Sequence, residues 1–289
     1  MTHSDAAPDG SSLNLATSRG QDAPPRLHSK LRVLDLFSGI GGFSLGLERT
    51  GGFETVAFCE IEPFPRKVLA KHWPEVPCYD DVRTLTGARL AADGITGIDV
   101  ITGGFPCQDI SVAGKQRGMG EGTRSGLWSE CIRLISDIRP NFALFENVSN
   151  LLSGPSEQPG GWFGTVLADL AGAGYDAEWA DIPASYVGAW HRRGRVWILA
   201  YPNKISGQQG RATQPILRQS YVSEQSTRAF AKWPGRSNLP TPNLCGNHDG
   251  VPNVSHRLAA LGNAVVPQIP ELIGQAILNS AWGRIGQRP

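Results

Sequence analysis

The chain has 289 residues, of which 40% are hydrophobic, so it can build a sizeable core and is not disordered throughout. Its 27 basic and 26 acidic residues nearly cancel, so any contact with a polyanion must come from a local patch. The five cysteines form no C-x-x-C pair, which argues against a disulfide framework or a zinc site and favours a reducing, cytoplasmic setting. No apolar run approaches the ~20 residues of a membrane span, and the amino-terminal segment lacks the apolar stretch of a signal peptide.

Residues 1–30 are polar and contain several prolines, and we expect a flexible tail there. From residue 31, short apolar runs typical of buried strands alternate with segments typical of helices. The predicted strands are residues 31–36, 55–59, 98–102, 141–145, 175–182 and 196–200. The predicted helices are residues 43–49, 63–72, 125–138, 162–172 and 267–281. This alternation predicts an α/β fold with an open, doubly wound, mostly parallel sheet.

The alternation stops at residues 201–254, which are rich in proline and irregular in pattern. Between Tyr201 and His248 the chain has six basic residues and one acidic residue, with aromatic residues among them. One interpretation is a solvated surface insertion, and the other is a small lobe whose arginines contact phosphates and base edges. The expected organisation is therefore a tail (1–30), a main domain (31–200), this region (201–254) and a segment that rejoins the main domain (255–289).

A glycine-rich turn at residues 35–43 separates the first predicted strand from the first predicted helix. Glycines let backbone N–H groups approach a ligand, but the sixth position counted from Gly39 is Ser44, so the G-x-G-x-x-G fingerprint is incomplete. Glu60 comes at the end of the second strand, where an acid commonly accepts hydrogen bonds from ribose hydroxyls. An adenosine ligand without a pyrophosphate, such as S-adenosylmethionine, fits this pattern better than a nicotinamide dinucleotide. A simple connecting turn is the alternative.

Three further candidates lie near strand ends. Cys107 follows the strand at 98–102, and Glu146 follows the strand at 141–145, so both lie where doubly wound sheets bind ligands. Cys107 is a candidate nucleophile and Glu146 a candidate proton donor, against the alternatives of a buried cysteine and a turn residue. Arg193 and Arg195 share one side if their segment is extended, and they are either solvated or directed at the same cleft.

Taken in order, these motifs resemble the cytosine-5 DNA methyltransferases over roughly residues 31–200 and 248–277. The resemblance is carried by the turn at 35–43, Glu60, Asp81-Val82, Pro106-Cys107-Gln108, residues 124–128, Glu146-Asn147-Val148, the two arginines and Gly262-Asn263-Ala264-Val265. Trp190-His191 departs from the Pro-Gln that usually precedes the arginines in the family.

The resemblance implies a Rossmann-like methyltransferase fold, a catalytic domain at residues 31–200, a target-recognition region at 201–254, S-adenosylmethionine as cofactor and no metal. It places the cofactor against Asp35, Phe37, Ser38, Gly39, Ile40, Gly41, Gly42, Glu60, Ile61, Asp81, Val82, Pro106, Leu127, Asn263 and Ala264. Gln108 and Ser111 are the predicted DNA contacts beside Cys107, and a separate hypothesis, from the basic composition of residues 201–254, adds Arg228 and Arg236 as phosphate contacts. The resemblance also implies a monomer that acts on double-stranded DNA, with a cognate restriction endonuclease as a functional partner.

The implied chemistry is methyl transfer to carbon 5 of a cytosine that has been flipped out of the duplex. Cys107 adds to carbon 6, Glu146 protonates ring N3, and Arg193 and Arg195 contact the base and orient the loop. One rival is an RNA cytosine-5 methyltransferase, although the Cys-Phe-Thr segment usual in the tRNA-modifying branch is absent. The other rivals are a catalytically silent DNA- or partner-binding protein and a nicotinamide oxidoreductase.

Overall fold

The structure of the protein is a computed structural model that describes residues 30–106, 126–153, 161–189, 191–203, 216–217 and 260–280. The strands in these residues are β1 (Leu31–Leu36), β2 (Phe53–Cys59), β3 (Cys78–Tyr79), β4 (Val100–Gly103), β5 (Phe142–Val148), β6 (Tyr175–Asp181) and β7 (Arg195–Pro202). The helices are α1 (Gly42–Arg49), α2 (Pro63–His72), α3 (Gly87–Ala92), α4 (Leu127–Ile138), α5 (Gly161–Gly172) and α6 (Gln268–Asn279). Short 3-10 helices occur at Ser149–Leu152 and Ala184–Val187.

Within the described residues the strands form one seven-stranded sheet, in the order β3-β2-β1-β4-β5-β7-β6. The strands from β3 to β5 in this order are parallel, whereas β7 runs antiparallel to both β5 and β6. The predicted doubly wound, mostly parallel α/β sheet is confirmed. Parallel strands need helical crossovers, and these cover the sheet on both faces.

Alternate residues of each strand contribute to two apolar layers, one on each face of the sheet. Leu34 and Ile101 belong to the layer built with α3, α4 and α5, and Val33 and Val100 belong to the layer built with α1 and α6. Burying a large aliphatic side chain contributes about 1.5–3 kcal/mol, so the two layers together hold the central strands in fixed register.

Glycines allow α6 to pack closely against α1. A Cβ atom on Gly42 would lie 2.6 Å from the carbonyl oxygen of Val265, and one on Gly274 would lie 2.9 Å from Leu47 Cδ2. Both distances are shorter than real Cβ contacts allow, so a side chain on Gly42 would displace the backbone at Val265, just before α6, and one on Gly274 would displace the Leu47 side chain of α1. The carboxyl-terminal segment is therefore held against the turn that precedes α1.

Two predicted units fall largely outside the described residues: the tail, apart from Lys30, and the region 201–254, apart from residues 201–203 and 216–217. The first strand begins at Leu31, the residue at which it was predicted to begin. No helix among the residues that the structure describes is long and apolar enough to cross a membrane.

Candidate active site

Four strand ends meet at one edge of the sheet. Because β1, β2, β4 and β5 are parallel, their carboxyl ends lie together, and antiparallel β7 begins at that same edge. The turn at 37–41, Glu60, the segment from Gly104, Glu146 and Arg195 are therefore neighbours despite their distance in sequence. Ligands of doubly wound sheets bind at this edge.

The turn between β1 and α1 has an unusual backbone. Phe37, Gly39 and Gly41 all have positive φ values, of 49°, 53° and 85°. The N–H of Ser38 donates to the carbonyl of Cys59 at 3.2 Å, and the Ser38 hydroxyl donates to the carbonyl of Asp35 at 2.5 Å. The first of these bonds ties the turn to β2. The glycines of the turn carry no side chains that could obstruct a ligand.

Glu60 lies beside this turn, immediately after β2. Its carboxylate accepts the N–H of Gly39 at 2.7 Å through Oε2 and the N–H of Glu62 at 2.8 Å through Oε1. Each oxygen keeps lone-pair capacity for a second donor, such as a ribose hydroxyl. The next side chain, Ile61, is 59% exposed although it is apolar, which suits a residue that packs on the face of a heterocyclic ring.

Asp81 and Val82 follow β3 at the same edge and differ in burial: Asp81 is partly exposed, whereas Val82 is buried. Asp81 is held by Arg83, whose Nη2 lies 2.7 Å from Asp81 Oδ2, and this pair lowers the pKa of the carboxyl. Val82 is buried, and its carbonyl accepts a bond from Arg133 of α4 at 2.9 Å. Leu127, the first residue of α4, packs partly buried against the same apolar layer.

Glu146 and Arg195 form an ion pair at the centre of this edge. Arg195 Nε lies 2.8 Å from Glu146 Oε1, and only 12% of the Glu146 side chain is exposed. Burial raises the pKa of Glu146, and the nearby charges of Arg195 and Arg193 oppose that rise only in part. A Cβ atom on Gly104 would lie 3.3 Å from Glu146 Oε2, so a glycine there leaves one face of the carboxyl accessible. The pair thus holds a carboxyl group whose pKa lies above its ordinary value.

Asn147 fixes the segment that leads to the predicted nucleophile. Its Nδ2 donates to the carbonyl of Phe105 at 3.1 Å, and the Phe105 ring packs against Trp128 with centroids 4.8 Å apart. Pro106 is the last described residue of this segment. Cys107 lies outside the described residues, as do the predicted DNA contacts Gln108, Ser111, Arg228 and Arg236.

Arg193 does not follow the extended pattern from which its direction was predicted. Its φ is 29°, and it precedes β7 rather than belonging to it. Its guanidinium donates to the carbonyls of Gly262 at 2.5 Å and Ala264 at 3.1 Å, and Asn263 lies between these two residues. Burial and the charge of Arg195 lower the pKa of Arg193. Arg193 thus joins the carboxyl-terminal segment to the site, while Arg195 alone of the two pairs with Glu146.

Asp35 supports the turn from beneath. The residue is fully enclosed, and its carboxylate accepts bonds from the hydroxyls of Ser44 and Thr102, both at 2.8 Å. Burial raises the pKa of Asp35 to about 7, although the two hydroxyl bonds lower it. The geometry suits a residue that acts on a ligand by holding the turn rather than by touching it.

The proton on Asp35 makes the stability of the fold depend on pH. Since the folded pKa is about 7 and the ordinary value is 3.8, the folded state binds the extra proton in this interval, and its stability falls as pH rises through it. Asp35→Asn is neutral at every pH and keeps the size of the side chain. We expect the free energy of unfolding of wild type, relative to this variant, to fall by ~3 kcal/mol from pH 5 to pH 8 in urea titrations. A difference that stays constant with pH would contradict the assignment.

Several supporting residues were not predicted. Ser44 and Thr102 hold Asp35, and Arg133 holds the backbone after β3. Thr102 lies 67 positions from Asp35, and no local pattern links them. The only available signal was that Thr102 is a polar residue within an apolar strand.

Comparison with known proteins agrees with this geometry. The solved structure of the S. pombe Dnmt2 methyltransferase superposes with a TM-score of 0.51 over 68% of this chain and 57% of that one, at 20% identity, which supports the fold alone. The sequence matches the C-5 cytosine-specific DNA methylase family over residues 31–243, and the chain belongs to that family. The resemblance seen in the sequence is therefore confirmed.

Two curated relatives are type II methyltransferases. M.Sau3AI of Staphylococcus aureus is 35% identical over 217 residues, covering 70% of this chain and 51% of that protein. M2.BsuMI of Bacillus subtilis is 36% identical over 174 residues, covering 59% of this chain and 42% of that protein. The chain thus spans about half the length of the curated relatives it matches.

Proposed function

We propose that this protein transfers a methyl group from S-adenosylmethionine to carbon 5 of cytosine in double-stranded DNA. The observation that carries the proposal is the buried pair of Glu146 and Arg195 beside Gly104, on a chain of the C-5 cytosine-specific DNA methylase family. Cytosine needs an acid at N3 and a nucleophile at carbon 6 before carbon 5 can accept a methyl group. Glu146 is suited to the first task, and Cys107, two residues after Phe105, is proposed for the second.

The described residues fit S-adenosylmethionine. Glu60 has acceptor capacity beside the glycine turn, and Ile61 offers an exposed apolar surface at the same place. The cofactor supplies the methyl group on a sulfonium when bound. We assign the ribose to Glu60, and the adenine to Ile61, Asp81 and Val82. The remaining contacts are assigned to the turn at 37–42 and to Pro106, Leu127, Asn263 and Ala264.

The chain's own residues then perform the other steps. Cys107 adds as a thiolate to carbon 6, and Glu146 gives its proton to N3, which makes carbon 5 nucleophilic. Arg195 holds the Glu146 carboxyl in place, and Arg193 holds the carboxyl-terminal segment through the Gly262 and Ala264 carbonyls. After methylation, a water or hydroxide from solvent takes the proton of carbon 5 as the thiolate leaves, and N3 returns its proton to Glu146. Because a stacked cytosine exposes neither face, the base must be flipped out, at a cost of about a few kcal/mol.

The proposal also covers the cellular compartment and the partners of the protein. Cys59, Cys78 and Cys131, the cysteines among the described residues, are free, which suits the reducing cytoplasm. Both relatives are named type II methyltransferases, so a restriction endonuclease of matching specificity is the proposed functional partner. We assign DNA contact to Gln108, Ser111, Arg228 and Arg236, with the protein acting as a monomer.

The test is incubation of the purified protein with S-adenosylmethionine labelled on its methyl group and unmethylated plasmid DNA. We expect label in DNA, and 5-methylcytosine as the labelled base after digestion and chromatography. A parallel incubation with unmodified tRNA tests the RNA alternative. Label on adenine, label in tRNA alone, or no transfer to either nucleic acid would contradict the proposal.

A further inference from the structure

The outer edge of the sheet carries an attachment between β6 and the region that follows β7. Both oxygens of the Glu178 carboxylate accept backbone N–H groups: Oε1 from Ile216 at 2.9 Å and Oε2 from Leu217 at 2.9 Å. Glu178 lies 38 and 39 positions before these residues, so the contact is entirely tertiary. We name this arrangement the 216–217 contact.

The side chains of the 216–217 contact are almost completely buried. Ile216 is 3% exposed and Leu217 is 2% exposed, and both belong to the apolar layer of Leu199 and Ile182. Each buried side chain contributes about 1.5–3 kcal/mol, and hydrogen bonds to a charged acceptor contribute about as much again. The chain that leaves the sheet after β7 thus returns to it at these two residues, which excludes a wholly solvated insertion at 201–254.

The Glu178 carboxylate is partly buried at this edge of the sheet. Burial raises the pKa of Glu178, and the two N–H groups offset part of that rise. A half-buried carboxylate is costly unless its oxygens are bonded, and the two backbone N–H groups of residues 216 and 217 supply one bond to each oxygen of Glu178. Asp176 lies two positions earlier on the same face of β6 and is exposed.

The residues next to the 216–217 contact in sequence are basic. Arg218 follows Leu217 directly, Arg211 precedes Ile216 by five positions, and Arg228 lies ten positions beyond Arg218. Because Arg218 is bonded directly to Leu217, a contact that fixes Leu217 limits where Arg218 can meet a polyanion. Phosphate contacts of this kind set the register of a protein on the duplex.

We propose that Glu178 is a positioning residue for DNA binding, which anchors the target-recognition region to the edge of the catalytic sheet through the N–H groups of Ile216 and Leu217. The proposal rests on the proposed function, since it names a residue that serves substrate binding by that same enzyme. Glu178 touches neither the base nor the cofactor, so its loss acts on DNA affinity and leaves the chemical step unchanged.

The experiment compares Glu178→Gln and Glu178→Ala with Asp176→Asn, a matched loss of charge on the same face of the same strand. Glutamine keeps the side-chain size but directs an NH2 group at one of the two N–H donors, so one bond is lost. We expect KM for unmethylated plasmid DNA to rise ~10-fold with glutamine and further with alanine, while kcat and KM for S-adenosylmethionine stay within about twofold. Hydrogen exchange at the amides of residues 216 and 217 should accelerate by ~10-fold or more. Asp176→Asn should match wild type in all four measurements.

Two outcomes would contradict the positioning role. Unchanged amide exchange in Glu178→Gln would show that the contact does not hold the segment, and a fall in kcat at unchanged KM for DNA would place Glu178 in the chemistry. The glutamine variant decides the matter if the alanine variant does not fold. If the wild type transfers no methyl group, the proposed function fails, and the role of Glu178 is then decided by amide exchange together with binding of the same plasmid DNA.

Discussion

Replacing Cys107 by serine should abolish methyl transfer to DNA, with a loss of at least ~10⁴-fold in rate. A thiol has an ordinary pKa of about 8.5 and supplies some thiolate at neutral pH, whereas a serine hydroxyl supplies essentially no alkoxide. Without addition to carbon 6, carbon 5 of cytosine is not nucleophilic enough to attack the methyl donor. Label transfer from S-adenosylmethionine to unmethylated plasmid DNA measures the rate.

Cys78→Ser is the matched control for this substitution. Cys78 is half-buried in β3, burial raises the pKa of its thiol, and its Sγ contacts the carbonyl of Tyr79. We expect this variant to keep most of the activity. Cys59 and Cys131 are less suitable controls because both are buried in the core, and burial raises the pKa of Cys59 to about 12.

A second measurement traps the covalent adduct. Release of Cys107 requires loss of a proton from carbon 5, and a fluorine atom at that carbon cannot leave as a cation. In the presence of S-adenosylmethionine, methyl transfer leaves carbon 5 with a methyl group and fluorine and no proton to lose, so duplex DNA made with 5-fluorocytosine should give a complex with the wild type and with Cys78→Ser that survives denaturing electrophoresis. A stable complex with Cys107→Ser, or equal methyl transfer by that variant, would overturn the mechanism.

Local sequence patterns predicted the architecture well because apolar periodicity and helix signals are local. The helix at 63–72 begins and ends as predicted, with proline in its first turn. Two short elements, β3 (Cys78–Tyr79) and α3 (Gly87–Ala92), were missed because two and six residues are too few to establish a period.

The prediction for β5 failed at its end. The strand was predicted to stop at residue 145, yet it continues through Glu146, Asn147 and Val148, which pair with β7. Polar residues such as Glu and Asn disfavour a strand locally, and the antiparallel partner overrides that preference. As a result Glu146 projects from a paired strand rather than from a loop, which holds its carboxyl more rigidly.

The parts of the site that sequence could not reveal depend on long-range contacts. The bond between Asp35 and Thr102, the bond from Asn147 to Phe105 and the 216–217 contact each join residues more than 35 positions apart. Similarly, the bonds from the Arg193 guanidinium to the carbonyls of Gly262 and Ala264, and the positive φ of Arg193, are features that no alternation rule includes. Motif order identifies the residues, and packing decides which of them touch.

Glu146→Gln should lower kcat by ~10²–10⁴-fold while leaving the binding of S-adenosylmethionine unchanged. Glutamine keeps the shape of the side chain and can still form a hydrogen bond to the base, but it has no proton to transfer to N3. The loss should therefore appear in kcat, measured with saturating plasmid DNA. Glu54→Gln, the same change at an exposed position of β2, should leave kcat as in wild type.

The pH profile separates loss of the acid from loss of structure. Because burial raises the pKa of Glu146, the wild-type carboxyl keeps its proton to a higher pH than an ordinary glutamic acid and becomes inactive as pH rises through that pKa. Formation of the Cys107 thiolate increases with pH, so the wild-type rate should rise and then fall. Glu146→Gln has no titrating acid at this position and should show the rise alone. A falling limb that persists in Glu146→Gln would assign the proton to another group, and a kcat within about threefold of wild type would remove Glu146 from the chemical step.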